Sequence, residues 1–350
     1  MKKKAGKVLN FVLIFGTLLI VLLVGINGQE MGAAVEAMRS MGGRWIVLAL
    51  AAYALFGAGD AFSLWFFLRR QGCRVPFLYL LFVANAGLYY SNITPGASGG
   101  QPMQIYYLHK KGVPLGLASS ALVVRFFSFQ AMLSVIATVL WIGHGPFMAE
   151  QIGSHMWILI VGYVYNIVLV IGLLLVALKK GIVRFFINLF VKIGVRLRLV
   201  KDPAASTAKW EDALNTFHDS ILLLKGHPLD LAVQLVAGGA QLMCLMTVLY
   251  FIYCGLGLEG VTYGQLMAMD VAQYVSAAYI PTPGASGAQE VSFSMYFGGI
   301  FPDGIRLAAL LLWRFFTYYL SLLVGALITV GYGWRVGKGR KAIMERPKDA

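Results

Sequence analysis

An octamer rich in helix-breaking residues occurs twice in this chain. It reads TPGASGGQ at residues 94–101 and TPGASGAQ at residues 282–289. Both copies interrupt long runs of leucine, valine, phenylalanine and alanine, which would otherwise form continuous helices. The tripeptide RFF follows each copy, at residues 125–127 and 314–316. Because the local octamer and the distant tripeptide recur together, the sequence predicts an internal repeat.

The composition excludes a soluble globular protein. Apolar residues make up 59% and charged residues 13% of the 350 positions, and the mean hydropathy is +0.74. The net charge of +14 would favour nucleic acid as a partner of a soluble protein. Here the basic residues cluster between apolar segments, so we expect them to contact anionic lipid headgroups, with no nucleic acid as a partner. The three cysteines have no C-x-x-C or Cys/His spacing, so we predict no disulfide framework, no metal site and no cofactor.

Six segments are long and apolar enough to cross a membrane, which takes about 20 residues. Basic residues precede the first span, follow the second and the fourth, and fill residues 331–350 after the last. Since lysine and arginine mark cytoplasmic connections, both termini are predicted to be cytoplasmic. Residues 179–228 are then a cytoplasmic amphipathic or polar section, for which a linker helix and an arm that contacts lipid are both open. The predicted spans are residues 8–26, 45–68, 115–142, 156–178, 229–256 and 305–330.

Two remaining segments, residues 77–111 and 263–303, are too long for one span, and each contains one octamer. Basic residues flank the first of them at both ends, so it starts and ends on the same side of the membrane. We therefore predict two re-entrant hairpins of broken helix. Residues 45–142 form repeat A and residues 229–330 form repeat B, and their first spans run in opposite directions. The predicted fold is an all-α polytopic membrane protein with an inverted-topology repeat and about six full spans, a plan that secondary transporters use.

The tips of the two hairpins are the predicted binding site. Backbone exposed to hydrocarbon leaves unpaired polar groups that cost several kcal/mol each, so the tips are expected to meet at a polar cavity inside the protein. Glycines permit tight turns there, and each outgoing half-helix begins with free N–H groups that favour an anion such as phosphate. The alternative is a break that only allows close packing. The predicted substrate-binding residues are Thr94, Pro95, Gly96, Ser98, Gly99, Gln101, Arg125, Thr282, Pro283, Gly284, Ser286, Gly287, Gln289 and Arg314.

Five charged residues within the apolar segments are candidates for function. Arg125 and Arg314 are costly in a membrane without a partner, and a guanidinium binds phosphate or carboxylate well. The alternative for each arginine is a structural ion pair. Glu290, Asp60 and Asp270 are predicted to carry a coupling ion or to form such pairs, and Glu290 follows the second octamer where the first has a proline. No metalloprotease, nucleophile-elbow, P-loop or dinucleotide-binding motif is present, so no catalytic residue is predicted.

With these motifs in view, the chain resembles the lysylphosphatidylglycerol synthase transmembrane region, a flippase-like family that includes the N-terminal half of the bacterial multiple peptide resistance factor. The resemblance rests on NITPGASGGQPMQIYYLHKKGVPL followed by Arg125, and on PTPGASGAQE followed by Arg314, and it covers residues 45–332. It implies a flippase in the bacterial plasma membrane that moves an anionic or aminoacylated phospholipid, typically lysylphosphatidylglycerol, to the outer leaflet. Such transport would protect the cell against cationic antimicrobial peptides.

In full-length members of that family a soluble aminoacyl-tRNA-dependent transferase follows the membrane part. This chain ends at Ala350, soon after the last predicted span, so we expect a stand-alone member that lacks this domain and is not itself an enzyme. Two other functions stay open. One is a secondary transporter of a small soluble anion; the other is the membrane subunit of a phosphatidylglycerol lysyltransferase-like aminoacyltransferase, with a separate lipid-modifying enzyme as partner. The sequence also leaves open the lipid, the coupling ion and the direction of transport.

Overall fold

The computed structural model of the chain describes residues 28–178, 227–277, 280–329 and 331, with isolated positions between 202 and 219. All regular elements in these residues are helical. Helices are expected here, because in hydrocarbon a backbone must satisfy its own hydrogen bonds. The predicted first span, most of the cytoplasmic section and the basic tail after residue 331 lie outside the described residues.

Ten helices position the site within the described residues, and short 3₁₀ turns separate some of them. They are α1 (Gly28–Ser40), α2 (Gly43–Arg70), α3 (Phe77–Asn92), α4 (Gly100–Lys110), α5 (Leu115–Ile152), α6 (Met156–Leu178), α7 (Pro228–Gly255), α8 (Tyr263–Ala277), α9 (Ala288–Tyr296) and α10 (Arg306–Thr329). A π-helical turn, Phe315–Tyr319, lies inside α10.

Four stretches of the described residues are long and apolar enough to span a membrane: Gly43–Arg70, Leu115–Leu175, Pro228–Gly255 and Arg306–Thr329. The second of these contains α5 and α6, which fold back on each other. Gly153, at φ +53, begins the reversal between them. The prediction of an all-α membrane protein is thus confirmed.

Helix α5 is longer than the sequence predicted. The span was expected to end at Ile142, but the helix continues to Ile152 through Pro146. Met148 and Ile152 are almost fully buried in a hydrophobic cluster with residues of repeat B, and this packing keeps the segment helical. The chain between the first two predicted spans also contains a helix, α1, which packs against α10.

Each octamer lies at the turn between two antiparallel helices. In the first hairpin, α3 and α4 are joined by a hydrogen bond of 2.7 Å from Tyr79 Oη to the Tyr107 carbonyl. In the second, Gln273 Nε2 of α8 donates to the Gln289 carbonyl of α9 at 2.9 Å. The helix–break–helix hairpins are therefore present, and each chain segment returns toward its starting side. Their re-entry into a membrane stays a prediction.

The first helices of the two repeats, α2 and α7, pack side by side in opposite directions. Gln241 Nε2 donates to the Phe56 carbonyl at 3.3 Å, and Gln234 Nε2 donates to the Ser63 carbonyl at 2.9 Å. The residue number of the contact on α7 therefore falls as that on α2 rises, which shows that the two helices are antiparallel. This is the arrangement that an inverted repeat requires, and the glutamines serve as the interhelical hydrogen-bonding residues expected in a membrane.

Candidate functional site

The tips of the two hairpins lie against each other. Each tip contains a 3₁₀ turn, Pro95–Ala97 in the first and Pro283–Ala285 in the second, and the two turns are in contact. A Cβ atom placed on Gly96 would be 4.0 Å from the Pro281 side chain. The two copies of the octamer, far apart in sequence, are therefore neighbours in the structure.

The first half of the octamer has the same unusual backbone in both copies. Gly96 and Gly284 both have φ +59, and the alanines that follow them, Ala97 and Ala285, have φ +54 and φ +49. An alanine in this left-handed region costs about 1 kcal/mol or more. Strained backbone of this kind persists only where the surroundings hold it, and it concentrates at functional sites.

The second half of the octamer differs between the copies. In the first tip Ser98 has ψ −20 and Gly99 has φ −85. In the second tip Ser286 has ψ 143 and Gly287 has φ +87. The peptide unit between serine and glycine is therefore turned over in the second tip. In the first tip the Gly99 N–H donates to Thr94 Oγ1 at 2.8 Å.

The residue after the octamer accounts for this difference. In the second tip the Gly287 N–H donates to Glu290 Oε2 at 2.6 Å, so the carboxylate holds the turned peptide. Thr282 Oγ1 then donates to the freed Ser286 carbonyl at 2.9 Å. The first tip has Pro102 where the second has Glu290, and it cannot form this bond.

Glu290 also binds Arg314, which ties the second tip to α10. Arg314 Nε donates to Glu290 Oε1 at 2.7 Å, and Arg314 Nη2 donates to Ser286 Oγ at 3.0 Å. The guanidinium carbon lies 4.5 Å from the centre of the Tyr318 ring, a cation–π contact. Arg314 is only 3% exposed, so its charge depends on these partners.

Aromatic packing explains how the local sequence brings Glu290 to Arg314. Phe293 lies one turn after Glu290 on α9, and Trp313 directly precedes Arg314 on α10. Their ring centres are 5.6 Å apart. This contact docks α9 on α10 and sets the two charged side chains face to face. The π-helical turn of α10 begins directly after Arg314. Such turns occur frequently at functional sites.

A cavity of about 440 Å³ lies beside the two tips. Its size is in the range of small-molecule binding sites. Six of the residues singled out from the sequence line it: Gly96, Thr282, Gly284, Gln289, Arg314 and Asp270.

The structure places Arg125 outside this cavity. Its Nη1 forms an ion pair with Asp60 of α2, and its Nη2 donates to Gln104 Oε1 at 3.3 Å. Arg125 and Arg314 therefore each have an acidic partner. The partner lies on α2 for Arg125 and on α9 for Arg314. Gln101 and Ser98 of the first tip are exposed, whereas Gln289 and Ser286 of the second tip are buried. The first tip thus contributes less to the cavity than the second.

A model of the lysylphosphatidylglycerol synthase TM region matches residues 8–325 of the chain. The chain belongs to this family. The match includes both octamers and both arginines. The chain is also similar to a protein named UPF0104 membrane protein from Archaeoglobus fulgidus, which is 24% identical over 268 residues, 75% of this chain and 78% of that relative.

In this member of the family, several cavity residues were missed from the sequence. Asn92 lies two positions before the first octamer, and its Nδ2 donates to Ser321 Oγ of α10 at 2.5 Å. Tyr318 and Ser321 also line the cavity, four and seven residues after Arg314. That spacing places them on the Arg314 face of α10, and it could have identified them. Gln130 and Tyr165, on α5 and α6, are two more of the lining residues that were not predicted.

Proposed function

We propose that the chain is a lipid flippase. It would move an anionic or aminoacylated phospholipid, such as lysylphosphatidylglycerol, between the leaflets of a bacterial plasma membrane. The observation that carries the proposal is a cavity lined by two unlike sets of residues: Arg314 and the paired tips form one set, and apolar side chains of α6 and α7 form the other. A phospholipid has the same division between its headgroup and its acyl chains.

The polar lining suits a phosphate group. A guanidinium has five N–H donors in a planar fork that matches phosphate oxygens. Arg314 makes three hydrogen bonds, to Glu290, Gly284 and Ser286. The remaining donors are available to an anion in the cavity, and the buried site strengthens the attraction because water does not screen it.

The apolar lining supports a lipid rather than a small soluble anion. Leu169, Leu245 and Met246 line the cavity, and so does Tyr165, which is 46% exposed. Tyr165 lies on α6, where Trp157 is 62% exposed and other large apolar side chains are also at the surface. Such a surface is expected to face hydrocarbon, so in this proposal the acyl chains leave the cavity past Tyr165. A soluble anion would need no such path.

The family match supports a phospholipid cargo as well. The family takes its description from lysylphosphatidylglycerol synthesis, which concerns an aminoacylated phospholipid. The name of the Archaeoglobus relative states only that it is a membrane protein.

Leaflet-resolved transport in proteoliposomes tests the proposal. Fluorescent phosphatidylglycerol, lysylphosphatidylglycerol and phosphatidylcholine would be offered separately, with the label read by quenching from one side. We expect headgroup-selective transport by the natural chain and a loss of at least tenfold in Arg314→Ala. Arg39→Ala is the matched control, because Arg39 is exposed at the end of α1 and should be dispensable. Uptake of inorganic phosphate without movement of any lipid would instead favour the soluble-anion transporter.

A further inference from the structure

Asp270 is a buried acid that the site described so far does not use. It lies on α8, is 2% exposed, and lines the cavity. Four carboxylates are buried in the described residues: Asp60, Asp230, Asp270 and Glu290. Three of them pair with arginine. Asp270 has no ion pair or hydrogen bond to any described residue.

An unpaired carboxylate charge in such a place is expensive. Burial of an ionised carboxylate without a partner costs far more than burial of a neutral polar group. The neighbours of Asp270 on the same face of α8 supply no positive charge, because Leu266 and Met267 are apolar and buried and the other two are Gln273 and Tyr274. A positive charge that arrives at Asp270 would remove this cost. The geometry therefore presents a cation site on the wall of the cavity that holds Arg314.

The surroundings of Asp270 contain few other charged or titratable groups. Arg314 is the charged residue that faces the cavity from α10, and it does not contact Asp270. On α5, Arg125 is held by Asp60, and His144 lies against Gly264, about 9 Å along the helix axis from Asp270. The other titratable groups of the lining are the phenols of Tyr53, Tyr165, Tyr274 and Tyr318, while α7 and α9 contribute Leu245, Met246 and Gln289 to the lining.

A proton fits this site better than a metal ion. Hard metal cations require several oxygen ligands. No group of three or more His, Cys, Asp or Glu side chains that could hold a metal occurs in the described part of the chain. A proton needs one carboxylate, which is what Asp270 offers. Glu290 and Asp60 are less suited to this role, because each is committed to an arginine.

We propose that Asp270 binds a proton and carries it across the membrane together with the anionic headgroup held at Arg314. This inference rests on the proposed flippase function. The proton is taken up from one side as the headgroup enters and is released to the other side as it leaves, and no covalent bond is made or broken. A phosphatidylglycerol headgroup carries one negative charge, so the headgroup and the proton cross with no net charge.

Charge balance gives a sharp test in proteoliposomes with labelled phosphatidylglycerol. A pH difference of one unit should drive a tenfold difference of the lipid between leaflets in the natural chain, and a membrane potential should have little effect. Asp270→Asn removes the proton site but keeps the shape of the side chain. Lipid transport by this variant should not depend on the pH difference. It should instead respond to the membrane potential, and 100 mV should drive a ratio of lipid between the leaflets of up to about 50-fold for one uncompensated charge.

Two further variants and a binding measurement complete the test. Asp270→Glu should keep the pH response, and Asp303→Asn should behave as the natural chain, because Asp303 is 90% exposed outside the site. Proton uptake by the purified protein on addition of short-chain phosphatidylglycerol should occur in the natural chain and be absent in Asp270→Asn. This last readout needs no transport.

The outcomes separate the two proposals. If the natural chain moves lipid but Asp270→Asn keeps its pH response, or a sodium gradient drives transport instead, the proton role is wrong and the flippase stands. If the natural chain moves no lipid, the flippase proposal fails. Lipid-induced proton uptake then still decides whether Asp270 binds a proton: uptake that is unchanged in Asp270→Asn overturns the assignment.

Discussion

Gly96 and Gly284 form a natural pair for testing how the second tip is built. They occupy the same position in the two octamers and share φ +59. Alanine at either site suffers the strain of the left-handed backbone, about 1 kcal/mol. At Gly96 the added Cβ meets only Pro281, at 4.0 Å. We therefore expect Gly96→Ala to lower the free energy of unfolding by about 1 kcal/mol.

At Gly284 the added Cβ would overlap the ring of Tyr318, with Cδ2 2.7 Å away. Overpacking of this kind costs about 1–3 kcal/mol, so Gly284→Ala should lose about 2–4 kcal/mol in total. Because Tyr318 lies over the Arg314 guanidinium, displacing its ring should also weaken phosphatidylglycerol binding. Gly96→Ala should leave that binding nearly unchanged.

Unfolding of the two purified variants in detergent, followed by tryptophan fluorescence, measures the difference. Lipid-dependent stabilisation of each variant reports the binding. Equal losses in the two variants, or a larger loss in Gly96→Ala, would refute the packing of Tyr318 on the second tip.

Two further pairs of variants test the packing of the membrane helices. Asp60→Asn leaves Arg125 without its acidic partner and should lower the free energy of unfolding by about 3–5 kcal/mol. Asp230→Asn should lower it by less than about 1 kcal/mol, because its partner Arg70 is half exposed. Similar losses for the two variants in chemical denaturation would contradict this. Gly162→Ala places a Cβ 2.6 Å from a backbone oxygen of α8 and should destabilise the protein by about 1–3 kcal/mol. Gly172→Ala, with nothing within 4 Å, should be neutral or stabilising, and a loss there equal to that of Gly162→Ala would count against close contact of α6 with α8.

The two hairpin tips could be predicted from the sequence because proline and glycine stand out in an apolar chain. The octamers located both breaks, and the shared backbone of Gly96 and Gly284 follows from their shared sequence. The ion pair between Glu290 and Arg314 was open to prediction as well, since both residues are costly when unpaired in a membrane.

Other features depend on contacts that no local pattern encodes. Arg125 lies outside the cavity because Asp60, on a different helix, binds it there. The sequence named Asp60 as one of three candidate ion-pair acids but did not assign it to Arg125. The turned peptide of the second tip depends on the position of the Glu290 carboxylate, which must lie within hydrogen-bonding distance of the Gly287 N–H. The presence of a glutamate in the sequence does not by itself give that position. Helix α5 passes Pro146 because Met148 and Ile152 are buried against repeat B, and only the folded chain provides that surface.

The position of a bound phosphate tests the central claim most directly. We would determine the structure of the chain by electron cryomicroscopy in nanodiscs that contain phosphatidylglycerol. The account predicts a phosphate within hydrogen-bonding distance of Arg314, beside the paired tips, with acyl chains that leave the cavity past Tyr165. A phosphate bound at Arg125 instead, or a cavity closed to lipid at Tyr165, would contradict it.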